Sequence, residues 1–334
     1  MMTPLLSERG LIARIRAEAV GESPDLLRGI GDDCAVFRQA GGKVVSLVTT
    51  DTLVEGVHFD RRWHPPHLLG RKAVAVNMSD IAAMGGTPRF VLLSLAAPAT
   101  VEAAWLDALL AGFLEAVREY GALLIGGDTV KSGHELVLSI TVLGEAMAKE
   151  VCYRAGAQPG DAVLVSGFLG QAAAGMVLCQ QGRQQENAAW QPLVAAHCDP
   201  QAQVPLGRLL AASGLVHAMM DLSDGLATDL AHLCAESRVG AEIDSAALPL
   251  TAEVRQAAAA CGVDPLDWAL KGGEDYQLVL ICAAANVNAL QQLAQQRLGV
   301  TLSPVGRIVG GQGVTLLTAD GRRDVSYQGY DHFR

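Results

Sequence analysis

Residues 89–130 read "RFVLLSLAAPATVEAAWLDALLAGFLEAVREYGALLIGGDTV". An apolar, β-rich run (89–98) leads into a long stretch of helical periodicity (101–121) closed by Gly121. A second apolar run then ends in two glycines and an acid, "IGGDT" (125–129). Strand, helix and strand in one stretch set the expectation of an α/β (α+β) fold, with helices packed on mixed sheets. Upstream, "KVVSLVTTD" (43–51) reads as a strand running into an Asp, and residues 10–20 have helical periodicity. "LGRKAVAVNMSDIAAMG" (69–85) reads as a helix closed by Gly85, Gly86 and the nearby Pro88. "ELVLSITVLGEA" (135–146) completes this half, and "RAGAQPGD" (154–161) is a polar turn. The domain boundary is therefore placed near residue 150, giving domains 1–149 and 150–334. In the second half "AVLVSG", "HAMMD" (217–221), "YQLVLIC" (276–282), "GVTLSPVGRIV" and "GVTLLT" read as strands. "GQAAAGMVLCQQG" and "GLATDLAHLCAES" read as helices, and the polar stretch 183–203 is expected on the surface.

With 334 residues the chain has room for two ordinary domains. Half of its residues are apolar but only 4% aromatic, so the core must be mostly Ala, Leu and Val. A net charge of −10 argues against a nucleic-acid binder, which would carry a basic stripe. No run of apolar residues is long enough for a transmembrane helix. Glu8, Arg9, Arg14 and Arg16 fall where a signal peptide needs an apolar stretch, so the cytoplasm is the expected location. The seven cysteines form no C-x-x-C pair and read as reduced, mostly buried thiols.

Carboxylates recur at turns: "GIGDDCAV" (29–36), "TTDTLVEGVHF" (49–59), "NMSD" (77–80), "GGDT" (126–129), "DLSDG" (221–225) and "GGED" (272–275). A single Asp at a turn or helix N-cap is ordinary. Six such turns, several abutting apolar strands, are not, because an unpaired buried carboxylate is costly. Divalent cations are the shared compensation, and Mg²⁺ suits a few carboxylates plus substrate phosphates. Metals would also let an acidic protein hold an anionic phosphate. The sequence has no G-x-x-x-x-G-K-[ST], no G-x-G-x-x-G between a strand and a helix, no H-E-x-x-H and no G-x-S-x-G.

Taken in order, "GIGDDCAV", "TTDTLVEGVHF", "KAVAVNMSDIAAMGGTP", "LIGGDT", "YRAGAQPGD", "MDLSDGLATDL" and "LKGGEDYQL" closely resemble the thiamine-monophosphate kinase family, within the aminoimidazole ribonucleotide synthetase-like superfamily. The resemblance runs from about residue 26 to "GYDHF" near the C-terminus. It implies a homodimer of two-domain chains paired through their N-terminal domains, with ATP as co-substrate and several Mg²⁺ ions in the cleft. By the same resemblance Asp33, Thr49, Thr50, Asp51, Asp80, Asp128, Asp221 and Asp224 form the metal shell. Asp51 and Asp128 are the residues closest to the chemistry. Gly127, Asp128, Arg154 and Ser223 contact ATP. His58, Glu274 and Tyr330 contact thiamine phosphate, although Tyr327 and Phe333 are near enough in sequence to take the stacking role.

The implied reaction transfers the γ-phosphate of ATP to thiamine phosphate. The acceptor oxygen is already anionic at neutral pH, so no general base is required. Rivals are a ring-closing or selenophosphate synthetase of the same superfamily, and a nucleotide-binding protein without turnover. Selenophosphate synthetases carry a reactive Cys in an N-terminal glycine-rich loop, and Met1–Gly31 contains none. A hydrogenase-maturation relative would end in a cysteine tail, whereas this sequence ends "YDHFR".

Overall fold

The structure is a computed structural model that describes residues 7–19, 21 and 23–333. Its first half holds α1 (Glu8–Glu18), β1 (Leu26–Arg28), β2 (Ala35–Arg38), β3 (Val44–Val54), α2 (Pro66–Ala83), β4 (Thr87–Ala97), α3 (Ala103–Glu119), β5 (Leu123–Lys131) and β6 (Val137–Met147). The strands form one mixed sheet in the order β1-β2-β3-β6-β4-β5, antiparallel except for the β4–β5 pair at its edge. The helix expected over residues 10–20 thus lies at Glu8–Glu18, and Val20 falls outside the described residues.

The second half contains β7 (Ala162–Ser166), α4 (Gln171–Gln180), α5 (Gln191–Cys198), α6 (Val204–Ser213), β8 (Val216–Asp221), α7 (Leu226–Ser237) and β9 (Gly240–Asp244). It continues through α8 (Ala252–Cys261), α9 (Pro265–Lys271), β10 (Leu278–Cys282), α10 (Val287–Leu298), β11 (Leu302–Val309), β12 (Gly313–Thr318) and β13 (Gly321–Asp324). These strands build a second mixed sheet, β13-β12-β9-β11-β7-β10-β8, in which only β9 and β12 run parallel. The fold is therefore the two-sheet α/β architecture expected. No helix of the described residues is long and apolar enough to cross a membrane.

One expectation fails. Residues 183–203 are not a plain surface stretch: they contain α5 and a short turn of helix at Ala188–Trp190. Trp190, Leu193, His197 and Cys198 are buried there. Leu193 and His197 are four residues apart, so one helix face turns inward. The polar run 184–187 before it hides this face in a reading by composition. The thiols behave as expected: all seven cysteines are free and all but Cys261 are buried.

Helix α2 places the site. Thirteen of its eighteen residues are buried, so it has no solvent face and acts as a spine between the halves. It packs on α3, β3 and β6 of its own half and on α5, α6 and β8 of the other. Polar side chains on such a helix meet protein on every side.

Candidate active site

The tetrapeptide "NMSD" near the C-terminal end of α2 gathers the acids. Asn77 Oδ1 accepts the main-chain N–H of Asp51 on β3 at 2.9 Å. Ser79 Oγ donates to Asp221 Oδ2, at the end of β8, at 2.6 Å. Asp80 accepts from the Thr49 hydroxyl. One helical turn thus binds β3 and β8, which belong to different sheets. As a result Asp33, Asp80 and Asp221 bring carboxylate oxygens within 4.8 Å of one another, and theirs is the one such group among the described residues.

Electrostatics at this cluster are strongly anionic. Burial and then the neighbouring Asp51, Asp221 and Asp33 push Asp80 well above the usual carboxylate range. Burial, then Asp33, pushes Asp221 up to about 7 despite help from Ser79 and Arg154. Asp224 also rises to about 7, mainly through burial and Glu8, and Asp51 rises through burial and Asp33. Arg154 opposes them: its Nη2 lies 2.6 Å from Asp33 Oδ1 and its N–H donates to Asp32 Oδ1 at 3.1 Å. Burial works against the Arg154 charge, but Asp33 and Asp32 outweigh it and raise its pKa. Asp33 Oδ2 and Arg154 Nε are buried without a protein partner. Hard carboxylate oxygens, excess negative charge and an orphaned acceptor fit a divalent cation of the Mg²⁺ type.

The remaining expected metal and nucleotide residues sit in different settings, and the sheet order sets Gly127 and Asp128 on β5 three strands away from Asp51 on β3. Thr50 follows the strand alternation and turns away from Thr49 and Asp51; its hydroxyl donates to the Ile140 carbonyl at 3.0 Å. Only the Thr50 main chain is left to face a metal. Gly127 and Asp128 sit on β5, whose residues are all exposed. Gly127 has φ +155, and a Cβ there would lie 1.8 Å from the Leu93 carbonyl oxygen. That glycine makes room for the neighbouring strand. Asp128 is exposed, its Oδ1 accepting the Thr129 N–H at 2.9 Å, and it is not one of the three convergent acids. The Ser223 carbonyl accepts the Glu274 N–H at 2.8 Å, so "DLSDG" and "GGED" are laced together.

The three expected acceptor residues are brought together. His58 Nδ1 accepts the Val54 N–H at 3.1 Å, which leaves Nε2 to carry the proton of the neutral ring. Burial holds the His58 pKa below its ordinary value. The His58 ring lies 5.1 Å from that of His332, which meets Tyr330 edge-on at 4.9 Å. Tyr330 is held by its N–H to the Asp224 carbonyl at 3.1 Å, and its side chain is exposed. Tyr327 instead donates its hydroxyl to the Ala231 carbonyl and carries the Arg9 guanidinium 3.3 Å over its ring. Glu274 has φ +68, and both its oxygens lie 2.8 Å from Lys72 Nζ on α2. Its Oε2 is also 2.9 Å from His197 Nδ1 on α5. Burial alone would raise the Glu274 pKa, but Lys72 and His197 hold it far below the usual range. Beside His58 and His197 opens a cleft of about 450 Å³, lined also by Trp63, Met176 and Cys179.

Residues 31–146 match the family model "AIR synthase related protein, N-terminal domain", and residues 158–318 match its C-terminal counterpart. The thiamine-monophosphate kinase of Escherichia coli (strain K12) is 35% identical over 98% of both chains. That of Bacillus subtilis (strain 168) is 36% identical over 92% of this chain and 93% of its own. The chain belongs to the thiamine-monophosphate kinase family. A solved structure described as AaThiL complexed with AMPPCP and TMP superposes with a TM-score of 0.86, 33% identity and full coverage of both chains. The thiamine-monophosphate kinase structure from Stenotrophomonas maltophilia K279a gives a TM-score of 0.76 at 39% identity, covering 93% of this chain and 96% of that one.

Several residues of the site carry no signal that composition or turn patterns expose. Lys72, Asn77 and Ser79 are polar groups inside an Ala- and Val-rich helix, and that contrast is their only mark in the sequence. Asp229, on α7, is buried and accepts the Asp224 N–H at 3.2 Å. His197 lies in the stretch expected on the surface.

Proposed function

We propose that this protein transfers the γ-phosphate of ATP to thiamine phosphate, giving thiamine diphosphate and ADP. The observation that carries the reading is the convergence of Asp33, Asp80 and Asp221 from three distant segments, beside Arg154. Family membership and the resemblance of the turn motifs support it. Mg²⁺ ions held by Asp33, Asp80 and Asp221, with Asp51, Asp224, Thr49 and the Thr50 main chain around them and Asp128 as a further ligand at the β5 edge, would screen the two mutually repelling phosphates.

The residues of the chain do the rest. Arg154, fixed by Asp33 and Asp32, presents a guanidinium at the seam where the ATP phosphates would lie, with Gly127, Asp128 and Ser223 as further nucleotide contacts. His58, Glu274 and Tyr330 receive the acceptor, whose phosphate oxygen is the nucleophile without a base. Alignment of two bound phosphates is the main catalytic work, so direct in-line transfer is the simplest route. Leu123, Leu124, Ile125 and Val130 are exposed on the edge strand β5, as is Phe90 on β4. A bare apolar edge of this kind is covered in working proteins, and a homodimer through this face supplies the cover. The same reading puts the domain boundary near residue 150 and the protein in the cytoplasm.

The test is turnover of ATP with thiamine phosphate, with Mg²⁺ and with EDTA. Mg²⁺-dependent thiamine diphosphate formation supports the proposal. ATP binding without product at saturating Mg²⁺ ends it in favour of a nucleotide-binding protein.

A further inference from the structure

Lys72 is fully buried, on a helix whose positions one turn away are Leu68, Leu69, Ala75 and Val76. A buried ammonium is costly unless paired, and a well-packed apolar residue usually serves stability as well as or better than a buried ion pair. The pairing therefore asks for a reason other than stability. Its geometry supplies one. The partner is Glu274, 202 positions away in the other half, and both carboxylate oxygens lie 2.8 Å from Nζ. Nζ also donates to the His58 carbonyl at 3.4 Å. One side chain thus touches two of the three acceptor residues, one from each half.

Glu274 needs holding. A non-glycine residue at φ +68 is strained unless its surroundings fix it. The loop main chain is bonded to the Leu222 and Ser223 carbonyls, through the Tyr276 and Glu274 N–H groups. Lys72 clamps the side chain from one direction and His197 Nδ1 approaches it from another at 2.9 Å. Asp80 lies on the same helix, two turns further on.

We infer that Lys72 is a positioning residue for the acceptor: it fixes the Glu274 carboxylate and ties the acceptor loop to the helix that carries Asp80. A consequence follows for recognition. Glu274 meets the acceptor as half of a neutral pair, so it can accept a hydrogen bond from a ring amine but is not a free counter-ion for a ring cation.

This inference rests on the reading of Glu274 and His58 as acceptor residues, and a double-mutant cycle separates the two. KM for ATP, KM for thiamine phosphate, kcat and melting temperature are measured for Lys72→Met, Lys72→Arg, Glu274→Gln and the double variant Lys72→Met with Glu274→Gln. Lys72→Met should raise the thiamine phosphate KM by about tenfold or more while the ATP KM stays within about twofold, and Lys72→Arg should recover part of the loss. Once Glu274→Gln is present, Lys72→Met should raise the acceptor KM no further, and the double variant should melt above either single one. The inference is overturned if Lys72→Met raises the acceptor KM by the same factor in both backgrounds, or raises both KM values equally. Should Lys72→Met fail to fold, Lys72→Arg and the double variant still decide the matter. A wild-type protein that does not phosphorylate thiamine phosphate ends the functional proposal itself. Wild-type turnover with an unchanged acceptor KM in Lys72→Met ends only this inference.

Discussion

Two stretches share one pattern, a glycine pair followed by an acid: "GGDT" (126–129) and "GGED" (272–275). In the sequence they look alike. In the fold they are opposites. The first lies on β5, at the edge of its sheet, with an exposed carboxylate that accepts the next residue's N–H. The second is a loop between α9 and β10 of the second half, and its acid is paired with Lys72 of the first half, with His197 Nδ1 2.9 Å away, before any ligand arrives. Both glycine pairs make room for protein: a Cβ on Gly127 would strike the Leu93 carbonyl, and one on Gly273 would lie 2.4 Å from the Ser223 carbonyl. The pattern marks close backbone approach, and the surroundings decide whether the acid after it is free or already paired.

The largest effect that tests this contrast is on stability. Glu274→Gln leaves the Lys72 ammonium buried without its carboxylate, a change that costs about 3–5 kcal/mol when one partner of a buried pair is removed. Asp128→Asn touches an exposed group and should leave stability unchanged within about 0.5 kcal/mol. Denaturant unfolding of the two variants side by side measures both. Equal losses would erase the distinction between the two turns.

Activity should rank them differently. Asp128→Asn and Asp51→Asn remove a carboxylate proposed as a metal ligand while keeping its shape. Each should lower kcat on the order of 10²-fold or more, a few kcal/mol of transition-state stabilisation. Because Asp128 is exposed, its loss would be read as function with no folding component. Turnover near wild type in both variants at saturating Mg²⁺ would remove them from the chemistry.

A third effect concerns the acid cluster that the "NMSD" turn assembles. Asp221 and Asp224 rise from about 3.8 to about 7 in the folded protein. Between those values the folded state holds more protons than the unfolded one, so stability falls as pH rises from about 4 to about 7. In EDTA the melting temperature should therefore decline from pH 5 to pH 8, and Mg²⁺ should reverse most of that decline. A melting temperature that climbs over this range in EDTA would show that the acids are already compensated by protein groups such as Arg154.

How much of this was legible depended on where each residue finds its partner. The helices α2 and α3 and the strands β3, β4, β5 and β6 stood out because each is a long run of one period. The short strands β1, β2, β9 and β13 and the helices α8, α9 and α10 did not: β7 and β10 are as short but stand out as unbroken apolar runs, whereas charged or amide side chains interrupt these. Asp33, Asp80 and Asp221 were legible because an acid beside an apolar strand is costly and so asks for a reason. Lys72 was not, because its reason is a carboxylate 202 positions away. Asn77 and Ser79 lay within the motif that pointed to Asp80, yet their work is to tie down β3 and Asp221, and only the packing of α2 between two sheets shows it. Strand alternation turns the Thr50 hydroxyl to the face opposite Thr49 and Asp51, a rule that separates the two threonines from the sequence alone.

The smallest effect belongs to the exposed end of the acceptor side. Tyr330 is half-exposed and touches His332, which in turn reaches His58, so its ring is available to a ligand while its main chain is fixed on Asp224. Stacking of a tyrosine on a cationic or heteroaromatic ring is worth roughly 0.5–2 kcal/mol, depending on how far both are desolvated. Tyr330→Ala should therefore raise the thiamine phosphate KM by about two- to thirtyfold and leave the ATP KM alone. Tyr327→Phe is the control: Tyr327 is engaged with Ala231 and Arg9, so losing its hydroxyl should cost some stability without changing acceptor selectivity. Free thiamine offers the same rings without the phosphate that positions it, and its hydroxyl would need a base that none of the acceptor residues is placed to supply. It should bind weakly and turn over very slowly in both the wild type and Tyr330→Ala. If free thiamine is phosphorylated as fast as thiamine phosphate, the ring contacts and not the phosphate select the acceptor. Tyr330, rather than the acid cluster, would then be the residue on which specificity depends.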